Sequence, residues 1–184
     1  MKLMLTSADF ENPNLMEHFL RLLPCKPDCA RVLFLPTAAI HCDSIEMLPE
    51  CLADLYRAGI SRQNIVVYDL HRPMTAQELS DYDCVYLCGG DTEYLAARLQ
   101  EACFHQSLLS YLAKGNGVVV GVSAGSLIFT EKNPAGLALL PHELHVHCAH
   151  GSPDGALPSA DTPIALTNDQ CILFEGDAAP YILF

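Results

Sequence analysis

Tryptophan is absent from the 184 residues, and lysine and arginine are scarce: ten against 22 Asp and Glu, a formal charge of −12. Beyond Lys132 neither cation occurs, while Glu143, Asp154, Asp161, Asp169, Glu175 and Asp177 accumulate. Such a field repels nucleic-acid phosphates and anionic lipid heads, so neither nucleic acid nor a membrane surface is expected as a partner. No apolar run approaches the roughly 18 residues of a membrane span. Residues 1–9 read as a short strand followed by polar residues rather than a signal peptide, and a cytoplasmic protein is expected. Metal-knuckle spacing is also lacking. The nine cysteines are odd in number, and neither Cys25-x3-Cys29 nor Cys84-x3-Cys88 has the two-residue gap of a zinc knuckle, so reduced and mostly buried thiols are expected.

What is present is a hydrophobic chain, 51% by count with 17% charged residues, ordinary for a globular α/β protein. A chain of this length can remove roughly 70% of its unfolded surface from water, enough for a core without staples. One α/β domain over residues 1–184 is expected. Apolar and β-branched runs predict strands over 2–6, 31–36, 64–69, 83–88 and 117–122, and amphipathic spacing predicts helices over 14–23, 44–58, 76–79 and 92–114. Continuous runs such as Val32-Leu33-Phe34-Leu35 and Val118-Val119-Val120 suit strands covered on both faces, hence a doubly wound, mainly parallel sheet flanked by helices. The last third differs. Residues 164–167, 171–175 and 181–184 look like short strands, with Asn168-Asp169 as a two-residue hairpin turn, adding a small antiparallel extension at one sheet edge.

In such sheets ligands bind beyond the carboxyl ends of the strands, and two strand-to-helix turns stand out. One is Cys88-Gly89-Gly90-Asp91-Thr92. The other is Gly121-Val122-Ser123-Ala124-Gly125, a Gly-x-Ser-x-Gly elbow, which needs small flanks because the chain turns sharply and leaves the serine strained and exposed. The amide of Ala124 and one from the Gly89-Gly90 turn could converge on an oxyanion. The alternative is that Gly121 and Gly125 only permit close helix packing or cradle a phosphate. A serine nucleophile needs an imidazole, and His142, His145, His147 and His150 fall within nine residues. His145 and His147 would share a face if residues 144–148 form a strand. Four imidazoles so close could instead bind a divalent metal, although no carboxylate or cysteine stands at matching spacing.

Taken with Gly136-Leu137-Ala138-Leu139-Leu140-Pro141 and His145-Val146-His147, these turns make the chain resemble the dipeptidase E and cyanophycinase family of serine peptidases, within the class I glutamine amidotransferase-like, flavodoxin-like folds. The resemblance spans residues 1 to about 148. It implies that Ser123 is the nucleophile, that the amides of Gly90 and Ala124 form the oxyanion hole, that His147 is the general base, and that a dipeptide or other small amide is cleaved through an acyl-enzyme. No cofactor or metal is implied, and a homodimer is left open. Relatives carry a longer loop holding the triad acid, whereas 24 positions separate Ser123 from His147 here. Glu131 is the first choice for that acid and Glu143 the second. Aspartyl dipeptidases of the family place an arginine after the histidine; this chain has none beyond Arg98, which favours a neutral or cationic substrate. A non-catalytic small-molecule-binding or regulatory relative is the alternative function. Ammonia-producing glutamine hydrolysis is disfavoured because those enzymes carry cysteine at the elbow.

Overall fold

The computed structural model describes residues 1–10, 12–133 and 136–184. In chain order the elements are β1 (Lys2–Thr6), α1 (Pro13–Leu22), β2 (Val32–Leu35), α2 (Cys42–Arg57), β3 (Ile65–Val67), α3 (Ala76–Leu79), β4 (Cys84–Leu87), α4 (Thr92–Glu101), α5 (Phe104–Lys114), β5 (Val118–Val122), α6 (Ala124–Leu127), β6 (Leu144–His145), β7 (Gly155–Ala156), β8 (Ile164–Ala165), β9 (Cys171–Glu175) and β10 (Tyr181–Leu183). Eight strands form one sheet in the order β3-β2-β4-β5-β1-β9-β10-β7. The first five run parallel, and β9, β10 and β7 continue antiparallel from β1.

Period-two alternation splits the core between the two faces. Leu3, Leu5, Val85, Leu87 and Val119 point to one side, under Leu95, Leu99, Phe104, Leu108 and Leu112 of α4 and α5. Met4, Cys84, Tyr86, Val118 and Val120 point to the other, under Leu15, Phe19, Cys51 and Leu55 of α1 and α2. Strands apolar on both faces thus require helices on both faces, and the doubly wound arrangement follows. Among the described residues no helix is long and apolar enough to cross a membrane.

Three sequence expectations need correction. The helix over 92–114 is two helices, broken at Cys103, whose φ is +53°. The apolar stripe Leu95, Leu99, Leu108, Leu112 runs through the break into one core, and no Gly or Pro marks it, so spacing alone reads continuous helix. The 164–167 and 171–175 runs do not pair as a hairpin: β8 pairs parallel with β6 in a separate two-stranded sheet, while β9 pairs with β1 and β10. The turn itself forms, with the Gln170 amide donating to the Thr167 carbonyl at 3.1 Å. All nine cysteines are free, but only Cys51, Cys84, Cys88 and Cys171 are buried; Cys25, Cys29, Cys42 and Cys103 are exposed because they fall on turns and helix ends.

One buried acid ties α2 to the loop after β1. Asp54 is 1% exposed; it accepts the Phe10 amide at 2.8 Å and forms an ion pair with Arg57. That contact fixes residues 7–10 beside the carboxyl ends of the strands. Asp54→Ala leaves the Phe10 amide without its acceptor and is expected to cost about 1–3 kcal/mol, read as a lower urea midpoint at unchanged slope. Asp54→Asn keeps an acceptor and should lose less.

Candidate active site

The elbow after β5 is built by close approaches that admit no side chain. A Cβ on Gly121 would lie 2.3 Å from the Gly125 carbonyl oxygen, and one on Gly125 would lie 2.4 Å from that of Leu87. Both clashes are with backbone, so neither can be relieved by a rotamer change. Between them Ser123 adopts φ +49° and ψ −111°, a conformation L-residues rarely hold. It is held there by the Ser123 amide donating to the Thr6 carbonyl at 3.0 Å and by the Ser123 carbonyl accepting from Ser126 and Leu127 at 2.8 and 3.0 Å. The buried Ser126 hydroxyl lies 2.7 Å from both the Thr6 and Gly121 carbonyl oxygens, joining elbow to β1.

The turn after β4 stands beside it. A Cβ on Gly89 would lie 3.2 Å from the Ser123 Cβ and 3.8 Å from its Oγ. Gly90 has φ +139°, and a Cβ there would sit 2.0 Å from the Ala38 carbonyl oxygen, so this position admits only glycine. The flanking amides are engaged, Cys88 to Leu35 at 3.0 Å and Asp91 to Ala38 at 2.8 Å. Those of Gly89 and Gly90 donate to no backbone carbonyl among the described residues. The Ala124 amide opens α6 and, as a first-turn N–H, has no intrahelical partner.

His147 reaches this point from the last third of the chain, with Nε2 2.9 Å from Ser123 Oγ. The anticipated strand over 144–148 stops at His145, because His147 takes φ +57°. Its amide donates to the buried Ser7 hydroxyl at 2.6 Å, which turns the ring toward the elbow. The alternation that put His145 and His147 on one face is therefore broken. His145 is exposed with Nε2 3.4 Å from Glu143 Oε1, and the buried His142 has Nε2 3.0 Å from the Pro158 carbonyl oxygen. Among the described residues no group of three or more His, Cys, Asp or Glu is arranged to hold a metal ion.

The group behind the ring is an amide. Asn168 Oδ1 lies 2.9 Å from His147 Nδ1. Glu131, first choice for that place, is exposed past the end of α6, its amide donating to Leu140 at 2.9 Å, and it does not line the cavity around Ser123. The short α6 packs against α4 and carries the following chain away from the strand ends. Glu143, the second choice, pairs with His145 instead. Asn168 was legible as a turn residue; nothing local marked which ring that turn would meet.

Ser123, His147 and Asn168 line a cavity of about 530 Å³ together with Gly89, Gly90 and Val122. Asp9 from the β1–α1 loop and Asp43 and Glu46 from α2 also line it, and no Lys or Arg among the described residues does so. Cys88 also reaches it, but burial, with a hydrogen bond to Cys51 as the next cause, pushes the Cys88 thiol well above its ordinary range. It stays protonated near neutral pH, leaving the serine as the stronger candidate nucleophile.

A sequence model described as Peptidase family S51 matches residues 3–145. No curated protein matches. Among solved structures, a candidate peptidase E protein from Listeria monocytogenes EGD-e superposes with a TM-score of 0.73 at 18% identity, covering 99% of this chain and 96% of that one. A peptidase from an acI-B1 Actinobacterium superposes with a TM-score of 0.64 at 15% identity, covering 99% and 86%. At such identities the two establish a shared fold. Because the elbow depends on backbone approach, Gly125→Ala is expected to cost about 1–3 kcal/mol, seen as a lower urea midpoint. An unchanged midpoint would mean that the Leu87 carbonyl yields freely.

Proposed function

This chain belongs to peptidase family S51, and we propose that it is a serine-type hydrolase cleaving a small peptide or other small amide through an acyl-enzyme. The contact of His147 Nε2 with Ser123 Oγ at 2.9 Å carries the reading. The Ser123 hydroxyl passes its proton to Nε2 as Oγ attacks the amide carbon. The amides of Gly90 and Ala124 take the negative charge that develops on the carbonyl oxygen. The imidazolium then protonates the departing amine, and water, deprotonated by the same ring, releases the acid. A non-catalytic relative has no need of a serine and an imidazole in hydrogen-bonding contact, and that alternative loses its support. Residues 1–184 act as one hydrolytic unit on this account, since the nucleophile comes from β5 and the base from the last third of the chain.

Asp9, Asp43 and Glu46 on the cavity wall favour a substrate without a side-chain carboxylate. The ammonium group of a free N-terminus, or a Lys or Arg side chain, complements them. Aminoacyl p-nitroanilides and dipeptides whose first residue is Lys, Ala or Asp provide the test. Turnover is expected in the order Lys, Ala, Asp, with kcat/KM for Asp lower by at least about tenfold, worth about 1.4 kcal/mol. Ser123→Ala should be silent on all of them. Preference for Asp would overturn the charge argument, and full activity of Ser123→Ala would overturn the mechanism.

A further inference from the structure

We propose that Cys51 and Cys88 form a dithiol modification site on the cavity, which a small neutral or cationic disulfide oxidises to a reversible cross-link that lowers the reactivity of Ser123. Cys51 stands on α2 and Cys88 directly follows β4. Both line the cavity that holds Ser123, although they are only 4% and 1% exposed. A hydrogen bond joins the two thiols. A pair brought together from separate elements at a cavity wall is more than apolar filling, the usual part of a buried thiol.

A run of hydrogen bonds fixes the pair. Cys51 Sγ donates to Asp9 Oδ2 at 3.4 Å, and the buried Tyr86 hydroxyl donates to Asp9 Oδ1 at 2.7 Å. A thiol has one hydrogen, so between the two sulfurs Cys88 is the donor. Burial and that bond to Cys51 hold the Cys88 proton in place. The Cys51 proton has a carboxylate beside it, which makes Cys51 the first to react. Its Sγ attacks one sulfur of the reagent as its proton leaves through Asp9 to water. The S–S bond of the reagent breaks, and the released thiolate takes a proton from water. Cys88 Sγ then attacks the Cys51 sulfur of the mixed disulfide and expels the other half of the reagent, which leaves with the Cys88 proton as a thiol. Two protein thiols give up two electrons and two protons, and one reagent disulfide becomes two thiols.

Charge selects the reagent. Asp9, Asp43 and Glu46 line the same cavity, with no Lys or Arg among the described residues, so an anionic disulfide is held off and a cationic one is drawn in. Geometry sets the consequence. An S–S bond of about 2.05 Å pulls the two sulfurs well inside hydrogen-bond separation. It removes the Cys51 hydrogen from Asp9 and ties α2 to the residue before Gly89, where a Cβ would lie 3.2 Å from that of Ser123. The effect on Ser123 rests on the hydrolase reading above; the dithiol chemistry does not.

The test treats the full chain with cystamine, a cationic disulfide, blocks remaining thiols and maps peptides by mass. A Cys51–Cys88 cross-link that dithiothreitol reverses is expected, while Cys84 and Cys171, equally buried but not lining the cavity, stay reduced. Glutathione disulfide, an anion, should form the cross-link at least about tenfold more slowly. In Cys88→Ala a single cysteamine should remain on Cys51, and in Cys51→Ser none should reach Cys88. Fluorophosphonate capture of Ser123 should slow by at least roughly tenfold on oxidation and recover with dithiothreitol, with no response to cystamine in Cys51→Ser. Under treatment that fully modifies the exposed Cys42, finding Cys51 and Cys88 still reduced, each capped separately, or joined to other cysteines would overturn the proposal. Equal rates with the two reagents, or unchanged capture in the cross-linked protein, would also overturn it. If the cross-link forms as described while Ser123 is never captured and no amide is turned over, the dithiol site stands and the hydrolase reading fails.

Discussion

The site depends on one constraint, the forcing of Ser123 into φ +49° at the end of a buried strand. Gly121 and Gly125 meet across the elbow with no room for a Cβ, and Gly125 also abuts the Leu87 carbonyl of the neighbouring strand. The strain is offset by hydrogen bonds to β1 and by the packing of β5 between β4 and β1, strands buried on both faces. A serine so held projects its hydroxyl from the rim of the sheet at the point where two other turns arrive.

Those turns are positioned by contacts well away from the reacting atoms. The Ala38 loop after β2 sets the Gly89-Gly90 turn: Gly90 presses on the Ala38 carbonyl, and Asp91 donates to it. His41 at the start of α2 stands 3.5 Å from Asp91, joining the acidic wall to the same turn. On the opposite side the chain folds back through Ser7, which seats His147, and through the Gln170 turn, which seats Asn168. The first 122 residues thus supply the platform and the last third brings His147 and Asn168 to it, even though the sequence match to peptidase family S51 ends at residue 145.

Much of this could be read from the residues because it is local. Apolar and β-branched runs located all five parallel strands, and the elbow and the Gly-Gly turn are contiguous motifs whose glycines have steric causes. His147 could be reached because the resemblance carried it. Asn168 could not, since its importance depends on where a turn lands after the chain has crossed the sheet edge. Glu131 drew attention by nearness in sequence to Ser123, yet α6 turns its neighbours away. The break at Cys103 escaped notice for a related reason: the helical stripe continues across it, so hydrophobic spacing records burial and not backbone continuity.

The acidic residues that share the cavity with Ser123 give it its character. Asp9, Asp43 and Glu46 line it and no Lys or Arg among the described residues does so, which is the basis for proposing a substrate without negative charge. In the proposed mechanism reactivity at its centre rests on the contact between hydroxyl and imidazole, and the most direct probe of that contact is the rate and site of covalent capture by a fluorophosphonate at pH 7–8, followed by peptide mass mapping. A single adduct on Ser123 is expected, forming at least on the order of 100-fold faster than in His147→Ala. An adduct elsewhere, no adduct, or equal rates in the two proteins would contradict it.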